Sequence, residues 1–285
     1  MSYLALANEG VFPITKDKDG QSQSELPATG FSFPGTIQGE GKLAGVPSLF
    51  IRLSGCNLRC IWSMPDGSFC RCDTPYASFA PERTFSMAID DVVALVQQNL
   101  GAMKHVVITG GEPFLQHKAL ADLCLELKKI PQLHLSVETN GTLFSREVAQ
   151  HIDLFSISPK LSNSNPTDEK ITFYGLKPSG PLSYHAQRRK NLPVLQKFID
   201  FSRENNKDFQ LKFVIGNHND YLEINKEYLS ELKNWNADDI LLMPLGATME
   251  ELKKTSKMVL EMAIQNGWRY APRVHIELFG SIAGV

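Results

Sequence analysis

The chain is short of cysteine, of long apolar runs and of any excess charge. Only five of its 285 residues are cysteine, and four of the five lie between positions 56 and 72. A secreted disulfide framework would spread its cysteines along the chain. This clustering points instead to metal-binding thiols in a reducing cytosol. No stretch approaches the ~18 uninterrupted apolar residues of a membrane-spanning helix. The opening Met1-Ser2-Tyr3-Leu4-Ala5-Leu6-Ala7-Asn8-Glu9 lacks the basic start and long apolar segment of a signal peptide. With 29 Lys and Arg against 31 Asp and Glu, the net charge of −2 gives no long-range attraction for nucleic acid or an anionic membrane. What the chain does have is 42% hydrophobic residues and length enough for one large α/β barrel-type domain or two small ones. These features predict a soluble, cytoplasmic, metal-binding protein.

Short apolar runs alternate with segments of helical period. Strands are expected at 49–53, 105–109, 134–138, 154–158, 209–215 and 240–243, with a last one at 274–278. Between them, Ala88, Val92, Leu95 and Val96 share one helix face, and Leu120, Leu123, Cys124 and Leu127 share another. Further helices are expected at 145–150, 193–204, 221–235 and 249–266. Six strand-then-helix units imply a parallel sheet with helices outside it, open or curled into a partial barrel. Ligands then gather at the carboxyl ends of the strands. Three stretches stand apart: polar residues 10–34, residues 63–71, and residues 161–191, which are too many for an ordinary connection. The last reads as a lid, a partner surface or a disordered insert, all within one domain spanning 1–285.

Unusual motifs fall at successive strand ends. Thr109-Gly110-Gly111-Glu112-Pro113 follows one strand; its glycines allow close backbone approach, and Glu112 can accept from an ammonium group. Glu138-Thr139-Asn140-Gly141-Thr142 closes the next, and Ser158-Pro159-Lys160 the one after. Each could be a plain turn or cap. Three together beside a thiol loop point to a site. That loop reads Gly55-Cys56-Asn57-Leu58-Arg59-Cys60-Ile61-Trp62, then, after nine residues, Cys72-Asp73-Thr74. Without residues 63–71 it is Cys-x3-Cys-x-Trp-Cys-Asp-Thr, three thiolates able to hold three irons of a 4Fe-4S cluster and leave the fourth open.

This spacing resembles the radical S-adenosylmethionine (SAM) superfamily. Thr36-Ile37-Gln38-Gly39-Glu40-Gly41, Phe50-Ile51-Arg52-Leu53-Ser54-Gly55-Cys56-Asn57, Cys72-Asp73-Thr74 and Ser158-Pro159-Lys160 resemble, within it, the 7-carboxy-7-deazaguanine synthases. Ala271-Pro272-Arg273-Val274-His275 is similar to that family's closing strand. The resemblance implies an incomplete TIM-type barrel of about six β/α units. It also implies conversion of 6-carboxy-5,6,7,8-tetrahydropterin to 7-carboxy-7-deazaguanine with loss of ammonia. Cys56, Cys60 and Cys72 would ligate the cluster. Arg71, Cys72, Asp73, Gly111, Ser158, Pro159 and Lys160 would contact SAM, with Glu138 and Asn140 as further contacts carried from the superfamily. Ile37, Gln38, Gly39, Arg52 and Thr109 would hold the substrate, and Thr74 a magnesium ion. Arg52 makes independent sense, because a guanidinium suits a carboxylate through paired hydrogen bonds. The resemblance further implies an electron donor such as flavodoxin or ferredoxin, and a homodimer.

The chain departs from the family in residues 63–71, which add Cys70. Cys72 is taken as the ligand because Asp-Thr follows it, with Cys70 as the rival. Pro65-Asp66-Gly67 is a turn signal that lets the addition loop out. Cys124 belongs to a core stripe, and Arg188-Arg189-Lys190 to a solvated face. Two other readings remain: an activating enzyme that places a glycyl radical on a partner protein, and a non-catalytic zinc module. Metal analysis separates the zinc module, and pull-down of a large partner the activase.

Overall fold

The computed structural model describes residues 2–79 and 84–285. Among the described residues twelve strands run in chain order: β1 (Tyr3–Phe12), β2 (Thr36–Ile37), β3 (Pro47–Leu53), β4 (Ile61–Ser63), β5 (Phe69–Arg71), β6 (Phe85–Ala88), β7 (His105–Gly110), β8 (His134–Thr139), β9 (Leu154–Ile157), β10 (Asp208–Ile215), β11 (Ile240–Pro244) and β12 (Arg269–Tyr270). The main sheet has the order β12-β11-β10-β9-β8-β7-β3-β1-β6, with β2 beside β3. From β3 through β7 to β12 every neighbouring pair is parallel, and β1 is antiparallel to both β3 and β6. Each parallel strand lies beside the one before it in the chain, which is the order of a β/α barrel. Among the described residues β12 and β6 remain edges, so the barrel is incomplete.

All six expected parallel strands form, displaced by at most two residues at their ends. Their alternation explains why the sheet has two unlike faces. Leu49, Ile51 and Leu53 of β3, Val106 and Ile108 of β7, Leu135 and Val137 of β8, and Phe209, Leu211, Phe213 and Ile215 of β10 enter the large apolar core. Helices Ile89–Asn99, His117–Leu127, Leu192–Glu204 and Met249–Asn266 supply the other side of that core. Several of the intervening positions are polar and buried (Ser48, His105, Thr109, Ser136, Ser156, Gln210 and Lys212), while others, among them Phe50, Val107, Leu241 and Met243, are apolar. Side chains two apart share a face of a strand, so these residues line the barrel interior. Cys124 sits fully buried in the helix layer, as its stripe required.

Four expectations change. Residues 10–12, placed in the polar N-terminal segment, complete β1, a strand the sequence reading did not anticipate. The segment 274–278 is not a strand but part of a helix, Val274–Phe279. Its alternation Val-His-Ile-Glu-Leu mimics a strand, yet the edge position beside β11 is already taken by β12. The helix expected at 221–235 is shorter, running His218–Glu223 and passing into a π-helical turn, Ile224–Leu229. Residues 161–191 hold two helices, Asp168–Phe173 and Pro181–Arg188, with Lys170 and His185 buried. Within the tribasic run, Arg188 and Lys190 are exposed while Arg189 pairs with Glu223 at 2.7 Å.

Candidate active site

The carboxyl ends of the parallel strands surround a cavity of about 360 Å³, within the usual range for a small-molecule site. Cys56, Cys60 and Cys72 all line it. They pack with Leu58, Trp62, Met64 and Leu245 in a small apolar cluster that Cys70 also joins. Residues 63–71 do loop out, as β4 and β5 pair into a hairpin with Ile61 opposite Arg71. That return brings Cys72 back to the first two thiols, and the Cys72 N–H donates to the Cys60 carbonyl at 3.2 Å. Cys70 lies opposite Trp62 in the hairpin, gives its S–H to the Arg71 carbonyl, and does not line the cavity.

The donor set fits a cluster. Burial pushes the Cys56 thiol up to about 12 and raises Cys60 as well. These thiols therefore stay protonated until a metal displaces the proton. Among the described residues no three His, Cys, Asp or Glu side chains close around a single ion.

Next to the thiols, the glycine turn after β7 is dictated by backbone crowding. Gly110 has φ +141°, and a Cβ there or on Gly111 would fall about 2 Å from the carbonyl oxygens of Leu53 and Gly55. Only glycine lets the turn lie against the strand that delivers Cys56. Glu112 is fully buried. It accepts from the N–H groups of Phe114 (3.1 Å) and Asn140 (2.7 Å) and from the Thr139 hydroxyl (2.8 Å). It ties the ends of β7 and β8 together. Asn140 in turn donates to Asn57 at 2.9 Å, beside Cys56.

Burial outweighs those three donors and lifts the Glu112 carboxyl from 4.5 to about 7. A carboxyl with a raised folded pKa holds more protons folded than unfolded, so stability falls as pH rises from about 4.5 to about 7. The loss is about 3 kcal/mol. Glu112→Gln should remove this slope. Denaturant melts of the metal-free wild type and variant, compared at pH 5 and pH 8, should differ by that amount in the variant's favour at the higher pH. A difference independent of pH would show that Glu112 is ionised throughout.

The far wall is charged. Glu40 lies between Lys212 and Arg273; Arg273 Nε donates to it at 2.8 Å, and Lys212 Nζ contacts its other oxygen. Arg273 also reaches Asp73 at 2.6 Å and the Gly246 carbonyl. The two cations hold Glu40 far below the ordinary carboxylate range despite the opposing effect of burial. Gln38 donates to Glu138 at 3.2 Å, and Thr109 donates to the other oxygen of Glu138 at 2.7 Å. Gly39 is needed because a Cβ would meet the His275 ring at 2.0 Å. The Arg52 guanidinium lies over Phe12 at 4.8 Å and Tyr76 at 5.7 Å. Lys160 donates to Ser158 at 2.8 Å.

Of the residues singled out from sequence, Ile37, Gln38, Gly39, Arg52, Thr109, Cys56, Cys60, Cys72, Asp73, Thr74, Gly111, Glu138, Asn140, Ser158 and Lys160 line this one cavity. Arg71 and Pro159 do not; the Arg71 guanidinium stacks over Tyr174 at 4.6 Å. Sequence reasoning assigned no site role to Glu40, Tyr76, Lys212, Arg273 or His275, all of which line the cavity, and left open the role of the carboxyl-terminal segment, whose residues 280–285 complete its wall. A lysine two positions after Gln210 within a largely apolar strand was the available signal for Lys212.

Three convergent thiols and a glycine turn at the mouth of an incomplete parallel barrel define a radical SAM protein. Residues 50–159 match the Radical SAM superfamily model. The chain is 38% identical over 252 residues to the 7-carboxy-7-deazaguanine synthase of Halobacterium salinarum, covering 86% of this chain and 87% of that protein. It is 37% identical over 247 residues to the same enzyme of Rhodopirellula baltica, with 87% and 84% covered. It belongs to the 7-carboxy-7-deazaguanine synthase family. The crystal structure of QueE from Escherichia coli superposes with a TM-score of 0.53 at 22% identity, covering 93% of this chain and 95% of that one. That match confirms the fold.

Proposed function

We propose that this cavity binds SAM and 6-carboxy-5,6,7,8-tetrahydropterin side by side and converts the pterin to 7-carboxy-7-deazaguanine with release of ammonia. The observation that carries the reading is the meeting, in one cavity, of the thiol trio with Arg52, Gln38, Thr109 and Glu138. When bound, a reduced 4Fe-4S cluster and SAM supply a 5′-deoxyadenosyl radical able to take hydrogen from carbon. Cys56, Cys60 and Cys72 would hold the cluster. Gly111, Asp73, Asn140, Ser158 and Lys160 would hold SAM.

The chain's own residues then do the orienting. Arg52 is positioned to take the substrate carboxylate through paired hydrogen bonds. Glu138, fixed by Gln38 and Thr109, is an acceptor for N–H groups of the pterin ring, and Ile37 and Gly39 form the adjoining wall. Thr74 offers a hard oxygen for magnesium, whose remaining shell would be substrate and water. Holding both reactants in one cavity lowers the entropic part of the barrier. Reduction requires an external one-electron donor, a flavodoxin or ferredoxin. The protein works as a cytoplasmic homodimer, and no described helix is long and apolar enough to cross a membrane.

Anaerobic reconstitution with iron and sulfide, then assay with SAM, magnesium and the carboxypterin, tests this directly. The expected product is 7-carboxy-7-deazaguanine, with SAM regenerated over many turnovers. A cluster-loaded protein that cleaves SAM and leaves the pterin unchanged would refute the substrate while sparing the superfamily chemistry.

A further inference from the structure

Residues 161–191 touch the thiol loop at Arg59, Ile61, Ser63 and Phe69. The His185 Nδ1 accepts the N–H of Arg59 at 3.1 Å, and Lys170 Nζ donates to the Ile61 carbonyl at 2.7 Å. Arg59 and Ile61 are the two backbone neighbours of Cys60. Asn163 takes the Ser63 N–H at 3.1 Å and faces its carbonyl at 3.3 Å. Tyr174 donates to the Phe69 carbonyl at 2.8 Å, and Phe173 meets the Phe69 ring edge-on at 5.3 Å. None of residues 161–191 lines the cavity.

The polar groups doing this are costly ones to bury. Lys170 is 4% exposed, and besides Ile61 it donates to the carbonyls of Asn163 (2.7 Å) and Asn165 (3.0 Å). Its three hydrogens are thus spent on three backbone carbonyls, two from its own segment and one from the thiol loop. An ammonium in such a place costs free energy that an apolar residue would not. His185 is fully buried. Because Nδ1 accepts from Arg59, the proton sits on Nε2 and goes to Ser164 Oγ at 3.1 Å, which donates onward to the Leu161 carbonyl at 2.7 Å. Restraint then passes along the loop. The Cys60 carbonyl takes the Cys72 N–H, and the Arg59 guanidinium grips the Cys56 carbonyl at 2.7 Å.

We propose that residues 161–191 are a clamp that holds the three thiols in register before any iron arrives, with Lys170 and His185 as its positioning residues. The inference rests on the cluster reading of the thiols but concerns a different property, the order of the empty loop. The clamp compensates for residues 63–71, which lengthen the loop and would otherwise raise the entropic cost of bringing Cys72 back to Cys60.

Lys170→Met and His185→Leu in the full chain test it by amide hydrogen exchange without metal, followed by anaerobic reconstitution. Exchange across 59–72 is expected to speed up by about tenfold or more, while β7, β8 and β10 keep the wild-type rate. Iron retained against a chelator should fall severalfold, and the electron paramagnetic resonance spectrum of the reduced cluster should broaden. Exchange that rises equally throughout the sheet, or stays at wild-type rates in 59–72, overturns the clamp. If neither variant folds, Tyr174→Phe, which deletes the side-chain bond to the Phe69 carbonyl, and Asn163→Ala, which deletes the bonds to Ser63 and a longer one to Asp220, give the same reading. A wild type that binds no iron would sink the cluster reading and leave the exchange result to decide the clamp alone.

Discussion

Cys72→Ala is expected to abolish iron binding and all turnover, whereas Cys70→Ala should leave both within about twofold of wild type. The two thiols are separated by a single residue, yet the hairpin gives them different surroundings. Cys72 lines the cavity with Cys56 and Cys60, while Cys70 is turned along the hairpin with its S–H on the Arg71 carbonyl. Losing one of three thiolates leaves an iron without its protein ligand. Losing a thiol that touches no iron removes only a small packing group. Iron and sulfide per chain, with absorbance across the visible after anaerobic reconstitution, give the comparison. The opposite outcome would hand the third ligand position to Cys70 and require the hairpin to shift register.

The second large effect concerns stability. Lys212→Met should destabilise the fold by about 3 kcal/mol, because breaking a buried ion pair leaves a charge without its partner. Here the stranded charge is Glu40, whose side chain is 14% exposed against 6% for Lys212. Arg273 remains beside it, which keeps the expected loss at the lower end of the range. Adding Glu40→Gln to the lysine variant should recover more than half, since the uncompensated carboxylate is then gone. Denaturant melts of the two single variants and the double variant close the cycle. Strict additivity would show that Lys212 is held by something other than Glu40. The pH dependence has a definite sign. The folded pKa of Glu40 is depressed, so its contribution is present above the unfolded carboxylate pKa and is lost as pH falls toward the folded value. In Lys212→Met the depression is smaller and acid unfolding should begin at higher pH.

The clamp and the charged wall differ in how they could be inferred. Residues 161–191 stood out in the sequence by length and polarity, but nothing local said what they packed against. Lys170 and Ile61 are 109 positions apart, and Arg273 and Glu40 are 233 apart. Pairings over such distances are set by which strands become neighbours, and a one-dimensional pattern does not carry that.

The sequence alone determined the elements whose cause is local. Apolar runs bounded by glycine or polar turns made β3 and β7 to β11, and the Pro65-Asp66-Gly67 turn made the hairpin that returns Cys72. Thiol spacing and the strand-end motifs marked the site for the same reason, since the chemistry resides in contiguous residues. Tertiary structure alone decided the rest. It made residues 274–279 a helix where the alternation suggested a strand, because the sheet edge was occupied. It buried Glu112, and it assembled Glu40, Lys212, Arg273 and His275 into one wall. Buried parallel strands ordinarily read as unbroken apolar runs. Here Arg52, Thr109, Glu138, Ser156 and Lys212 interrupt those runs because the barrel encloses a cavity that they line, and only the curled sheet shows which face that is.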